Sequence, residues 1–394
     1  MFGYRRKATA ESWCREYRYC GNPQVRTMLE ALAGALVVDM GGSVSTTYCA
    51  KLFADYGATV INLETEQGFA TRQLPPFTLG ASRDSAMHGY LNADKKSVRL
   101  DCLSDSALAK ILSHADLVLS DGLADTPEDT RLRMDISWYG ESGPYAEFIG
   151  TDAQCFALNG MLRTIGHPEG PPLIPSGYQA QIVGGMTAFV GAMGQVLAQE
   201  LNPSAPSLRM HTSIFEAVLC FTEVGAITAY NTGLEGERLG INRFPPTYPL
   251  GVFPCRDGWI GLTVLTPGQW RTFCELLELT EFSDVDLFQS AVGRLESVDL
   301  LEPLICEKLL QLSSKELFYR AQNAGVPLAR VPTMEELFQV DQFVHRQAFA
   351  QVDFADGTAL LAPTIPFRLF QTPPRLGGAV ASLGAHTDEF TGND

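Results

Sequence analysis

The chain has 394 residues, 45% hydrophobic and 10% aromatic, and its 29 Lys and Arg against 45 Asp and Glu leave a formal charge of −16. That length exceeds what one core usually supports, so two domains are expected, and the acidity argues against nucleic acid and anionic membrane surfaces as partners, since both demand a positive face. No run of about 18 apolar residues points to a membrane span, and MFGYRRKATAESWCREYRYC lacks the apolar stretch of a secretory signal, so a cytoplasmic protein is expected.

Residues 1–34 read as an appended arm ending in a possible helix, VRTMLEALAG. The organised part begins at Ala35: ALVVDM is a buried strand, GGSVSTT a tight loop, YCAKLFADYG an amphipathic helix closed by Gly57, and ATVINLE a second buried strand. Two apolar strands flanking a helix of that length predict a right-handed βαβ unit. The unit has glycines after its first strand and an acid, Glu64, ending its second, as a dinucleotide site would. Gly41 and Gly42 are followed by Ser43, Val44 and Ser45, however, so the GxGxxG spacing is missing and no nicotinamide cofactor is expected.

Further along, SVRLD predicts a short strand after the basic turn Lys95-Lys96. SDSALAKILSHA predicts a helix, DLVLSD a third buried strand and MDISWYG a fourth. The alternation implies a mainly parallel sheet covered on both faces. GTDAQCFALNGMLRTIG and YQAQIVGGMTAFVGAMGQVLAQE read as helices, and Gly184, Gly185, Gly191 and Gly194 on the second would let another backbone approach closely. SLRMHTSIFEAVLCFTEVGAITAY reads as a strand and one long helix. After about residue 242 the composition changes: GVFPCRDGWIGLTVL gives two strands around an Arg-Asp-Gly turn, helices follow to about Ala324, and the tail carries a hairpin turn at Asp356-Gly357. The nine cysteines show no CxxC and no His/Cys cluster of zinc spacing, so they read as small apolar residues and no metal is expected.

The segments VVDM, CAKLFADYGATVINLE, LNADKKSVRLD, ADLVLSD, ISWYGESGPY, GTDAQCFALNGMLRTIGHPEGPP, GVFPCRDGWIGL, AGVPLARVPTMEEL and LGAHTDEF, in this order, resemble the family III CoA-transferases. This CaiB/BaiF group includes formyl-CoA and carnitine CoA-transferases and the α-methylacyl-CoA racemases. The resemblance implies an α/β fold: a Rossmann-like large domain with a parallel sheet, built from both ends of the chain, and a smaller inserted α+β domain. Two chains of such proteins interlink as rings. The division expected is an arm at 1–34, the large domain's first part at 35–225, a linker at 226–241, the small domain at 242–330, and a linker and return at 331–394.

The resemblance also implies a chemistry. An aspartate attacks the thioester of an acyl-CoA, a mixed anhydride forms, and CoA passes to an acceptor acid; this needs an ionised oxygen near a helix N-terminus and donors for the oxyanion. The position of that aspartate falls on Gln181, whose neutral amide is barely nucleophilic. The histidine that the racemases use falls on Thr151, so racemisation is less supported still. For coenzyme A or an acyl-CoA as substrate, the candidate contacts are Lys95, Lys96 and Arg72. The family's basic residue after the second strand is replaced by Thr65. Asp152 is a candidate acid or a cap for the helix that starts there, Glu141 a replacement acid, and Tyr139 a ligand-orienting or merely packing ring. His114, His167 and His211 stand apart without partners of ligand spacing.

Three readings follow. The chain is a subunit of a dimeric CoA-transferase whose homologous partner supplies the nucleophile, or a repurposed enzyme that isomerises or dehydrates an organic acid, or a non-catalytic binding or regulatory protein. The expected partners are a homologous subunit or a second copy, and an organic acid or acyl-CoA.

Overall fold

A computed structural model describes residues 30–122, 131–202, 204, 206, 208–233, 236 and 238–391. Residues 1–29 of the predicted arm lie outside these residues, and residues 31–34, expected to end a helix, form a turn instead. The expected strands form: β1 (Leu36–Asp39), β2 (Thr59–Glu64), β3 (Lys96–Arg99), β4 (Leu117–Ser120), β5 (Leu132–Ser137) and β6 (Leu208–Ser213). They make one sheet of order β3-β2-β1-β4-β5-β6 in which every neighbouring pair is parallel. In this order the chain reverses its course across the sheet between β1 and β4, the position beside which open parallel sheets commonly bind ligands.

Helix α1 (Val44–Asp55) lies on the sheet and is buried almost throughout, even at the ion pair Lys51–Asp55 (2.6 Å). Its first turn is closed by Ser43, whose Oγ accepts from Thr46 N at 3.2 Å, the role that serine plays at a helix start. Helices α2 (Ala86–Asn92) and α3 (Asp105–His114) follow β2 and β3. Beyond β5 comes α4 (Asp152–Leu158). The helix predicted over GTDAQCFALNGMLRTIG is cut at Gly160, which takes φ 86, and resumes as a 3-10 turn at Met161–Arg163.

Helix α5 (Gln179–Leu201) packs across α1. A Cβ at Gly185 would fall on the backbone carbonyl of Ser45, and one at Gly184 would come within 2.8 Å of Ile214 Cγ1. The small residues thus serve a close helix crossing, as their spacing suggests. Contrary to the reading of the sequence, the 23 residues of α5 are long and apolar enough to cross a membrane by length and composition alone. Here the helix packs on α1 and the sheet while Met186, Val190 and Leu197 stay exposed. The single long helix predicted after β6 is also broken. Ser213 caps a turn at Ile214–Ala217, a 3-10 turn follows, and α6 (Glu223–Thr232) starts afresh after Thr222, at φ −129, and stops at Gly233, at φ 69.

A second core gathers around Tyr248, Phe253, Trp270, Phe273, Leu301 and Leu317. It is covered by the antiparallel sheet β7 (Leu250–Cys255), β8 (Gly258–Thr263) and β9 (Leu328–Val331), with the turn at Arg256-Asp257 as predicted, and by α7 (Pro267–Leu276), α8 (Val298–Leu309) and α9 (Ser314–Asn323). Arg294 is fully buried there; its guanidinium donates to the carbonyls of Tyr248 (2.6 Å), Phe288 (2.7 Å) and Val264 (3.2 Å). The tail forms the hairpin β10 (Phe349–Asp353) and β11 (Ala359–Pro363), with β12 (Gly378–Ala379) beside β10. It then returns to the large sheet: Tyr56 Oη donates to Phe367 O at 3.1 Å, and His386 N donates to Ser97 O at 2.9 Å.

Candidate functional site

Gln181 lies in the first turn of α5, nearly buried. The N-cap residue, Tyr178, gives that helix no side-chain cap. The cap comes from a distant stretch of sequence: Asp152 Oδ1 accepts from Ala180 N at 2.8 Å and from Gln181 N at 3.2 Å, and Oδ2 accepts from Gln181 Nε2 at 2.9 Å. The expectation that Asp152 caps its own helix is therefore corrected. It is the first residue of α4, and its carboxylate answers the open amides of α5 instead. The arrangement sets one negative charge on the positive end of a long helix dipole. Thr151, the N-cap of α4, makes no side-chain capping bond.

The other residues singled out in the sequence lie in different surroundings. Tyr139 sits in an aromatic group, 5.6 Å from the ring of Phe215 and 6.0 Å from that of Tyr145, and burial pushes its phenol up. Glu141 pairs with Arg209 (2.8 Å), which also holds the fully buried Asp135 at 2.8 Å. Arg72 grips Glu64 as a two-pronged fork, both distances 2.7 Å. Burial pushes the Glu64 carboxyl up, but Arg72, the Ser97 hydroxyl and the Phe69 amide together hold it below its usual range. Lys96 is half-exposed and paired with Glu389. Lys95 is not on a solvated turn: it is 3% exposed, and its Nζ donates to Thr47 O (2.8 Å) and Asn92 Oδ1 (3.3 Å). Burial lowers its pKa to about 7, with Asp39 opposing.

The carboxyl ends of β1 and β4 hold residues that the sequence reading passed over. Asp39 ends β1 fully buried, and its Oδ1 accepts from Gly41 N (3.0 Å) and Gly42 N (3.4 Å). Burial pushes this carboxyl up, with Lys95 the main opposing influence. Gly41 presses on the backbone of Asp121 after β4, where a Cβ would come within 2.9 Å of its amide nitrogen. The signal for Asp39 was available, because it is the one acid inside the apolar run ALVVDM. His88, in SAMHGYLN, was equally visible as a lone imidazole in an uncharged stretch, the one that forms α2.

Two of the three cations named for CoA phosphates are thus committed within the fold, Lys95 by burial and Arg72 by Glu64. Lys96 alone stands at the surface, and a phosphate there would have to displace Glu389. Among the described residues no three His, Cys, Asp or Glu side chains come together as a metal site would need.

The six-stranded parallel sheet with its separate small antiparallel sheet is an architecture that a solved structure shares. A CaiB/BaiF family protein from Brucella suis superposes with a TM-score of 0.80 at 21% identity, over 91% of this chain and 98% of its own. The chain belongs to CoA-transferase family III, whose model matches residues 32–387. It is 26% identical over 377 residues to a succinate–glutarate CoA-transferase of Agrobacterium fabrum, covering 90% of this chain and 93% of that one. It is 24% identical to the alpha subunit of a succinyl-CoA–L-malate CoA-transferase of Chloroflexus aurantiacus, over 91% of this chain and 87% of the relative, and also 24% identical to the beta subunit, over 91% and 92%.

Proposed function

We propose that this chain is one subunit of a family III CoA-transferase, handling an acyl-CoA and an organic acid, in which a homologous partner supplies the attacking carboxylate. The observation that carries the reading is the amide of Gln181 at the mouth of α5, spent as a hydrogen-bond donor to Asp152. An amide has no ionised oxygen to attack a thioester carbon and expel the CoA thiolate. The similarity to both the alpha and the beta subunit of one CoA-transferase supports assembly from homologous, non-identical chains. In such an assembly this chain's part is scaffold and substrate wall, with Lys96 the cation nearest to hand for a phosphate.

A second reading rests on a specific feature of the same site. Asp152 already places a carboxylate at the helix mouth, with one oxygen held by two backbone amides. If Oδ2 exchanged its bond to Gln181 for a thioester carbonyl carbon, Asp152 would be the nucleophile and no partner would be needed.

One experiment separates the two. The chain alone, and then together with a homologue that keeps aspartate at the matching position, is incubated with a panel of short acyl-CoA thioesters, and adducts are trapped with hydroxylamine and located by mass. The expected result is no adduct on the isolated chain, and an adduct confined to the homologue in the mixture. An adduct on the isolated chain that disappears in Asp152→Asn would replace the first reading by the second.

A further inference from the structure

Between β1 and α1 the chain turns at Gly41 and Gly42, the second at φ 68. Both amides of the turn donate to a single oxygen, Asp39 Oδ1, at 3.0 and 3.4 Å. The other oxygen, Oδ2, is buried and has no hydrogen-bond partner among the described residues. A fully buried carboxylate in that state needs a positive charge close by to stay ionised.

The side chains behind the turn supply one. Asn62 on β2 is the register partner of Asp39, so the two side chains leave the same face of the sheet. Asn62 Nδ2 donates to Asn92 Oδ1 at 2.8 Å. Lys95 Nζ donates to that same oxygen at 3.3 Å and to the carbonyl of Thr47 on α1 at 2.8 Å. Both acceptors are neutral, and the charge that most favours the Lys95 ammonium is Asp39. Other titratable neighbours do not replace it. On α1, Lys51 is taken up by Asp55 at 2.6 Å, and burial keeps the Cys49 thiol protonated. On α2, burial holds His88 neutral, its pKa lowered to about 3.

We propose that Asp39 and Lys95 form a charge-coupled lock on the Gly41–Gly42 turn: the ammonium balances the carboxylate that grips both amides, and when its proton leaves for solvent the turn opens to bring the unbalanced carboxylate to water. Removing one partner of a buried pair strands the other charge, whereas neutralising both does not. The turn follows the carboxyl end of β1, beside the position where open parallel sheets commonly bind ligands, so the lock sets how firmly that edge is held. Burial lowers the pKa of Lys95 to about 7, which puts the release near neutral pH.

The test follows hydrogen exchange of the Gly41 and Gly42 amides in the full chain, by mass spectrometry of peptides spanning Asp39 to Ser43. Lys95→Met is expected to speed that exchange at least about tenfold, as loss of hydrogen bonds to a charged acceptor should. The double variant Asp39→Asn/Lys95→Met is expected to restore protection to within about threefold of the native chain, since a neutral amide oxygen still accepts and needs no cation. In the native chain, after correction for base catalysis, exchange is expected to rise between pH 6 and pH 9, and in the double variant it is expected to stay level. Should Lys95→Met not fold, the native chain and the double variant carry the pH comparison. The proposal is overturned by unchanged exchange in Lys95→Met, by a double variant no better protected than the single one, or by a native turn equally protected at both pH values. None of these readouts depends on CoA transfer, so its failure leaves the transferase reading untouched.

Discussion

Asp152 and Gln181 share what one residue would otherwise do at the mouth of α5. The carboxylate cancels the helix's open amides and the amide orients the carboxylate, so the pair is neutralised by local structure before any ligand arrives. A second carboxylate at position 181 would stand where Gln181 Nε2 now donates, and two acids that close tend to share a proton. His88 makes the same kind of statement in a form that pH can read. Its pKa is about 3 in the folded chain against an ordinary 6.5. Between those values the unfolded chain binds a proton that the folded chain refuses, so stability is full above pH about 6.5 and drains as the pH falls. By pH 5 the loss due to this residue alone is about 2 kcal/mol. Urea unfolding at pH 7 and pH 5, in buffers free of carboxylates, is expected to show a pH-dependent loss that shrinks by about that amount in His88→Gln. Equal losses in the two proteins would mean that His88 is already protonated when folded.

At the scale of elements, α5 illustrates both what was legible in the sequence and what was not. Its glycines announced a close crossing, and the crossing is there at Gly185. The four glycines are nonetheless unequal, because nothing lies within 4 Å of a Cβ at Gly194. Gly185→Ala is expected to destabilise by about 1–3 kcal/mol, since the Ser45 carbonyl belongs to a helix pinned on the sheet and cannot retreat. Gly194→Ala in the isolated chain is expected to be neutral or to stabilise by up to about 1 kcal/mol, the ordinary gain of alanine over glycine in a helix. Chemical denaturation of both variants checks the contrast. Strands β1, β2 and β4 were readable because a buried parallel strand is a nearly continuous apolar run. The cap of α5 was not, because the residue that supplies it is 28 positions from Ala180, and no local pattern joins them. The fate of Lys95 was hidden for a similar reason. A Lys-Lys pair in a turn looks solvated, and only the packing of α1 and α2 around it turns one lysine inward while its neighbour stays out. The break before α6 lacks any proline, which is why the sequence reads there as one helix.

At the scale of the whole molecule, the acidic surface carries an apolar face that a chain alone has little reason to keep. On α5 Val190 is 66% exposed, and on α6, which buries no residue, Val224, Ile227 and Tyr230 stand out at 69%, 60% and 91%. Singly exposed apolar residues are ordinary, but two helices that each present large ones point to a covered surface. Under the proposed function the cover is a homologous chain, and the face is where charge should do most harm to assembly and least to the fold. Ile227→Glu has no core to disturb, because α6 is held by its ends rather than by buried side chains. Sedimentation of the chain with its homologue, or with itself, is expected to show association weakened at least about tenfold in Ile227→Glu, the minimum for burying an unpaired carboxylate at an interface. The urea midpoint of the dissociated chain is expected to stay unchanged. If association were unaffected, the exposed face would lie outside the subunit contact, and a transferase assembled from this chain would have to join through another surface.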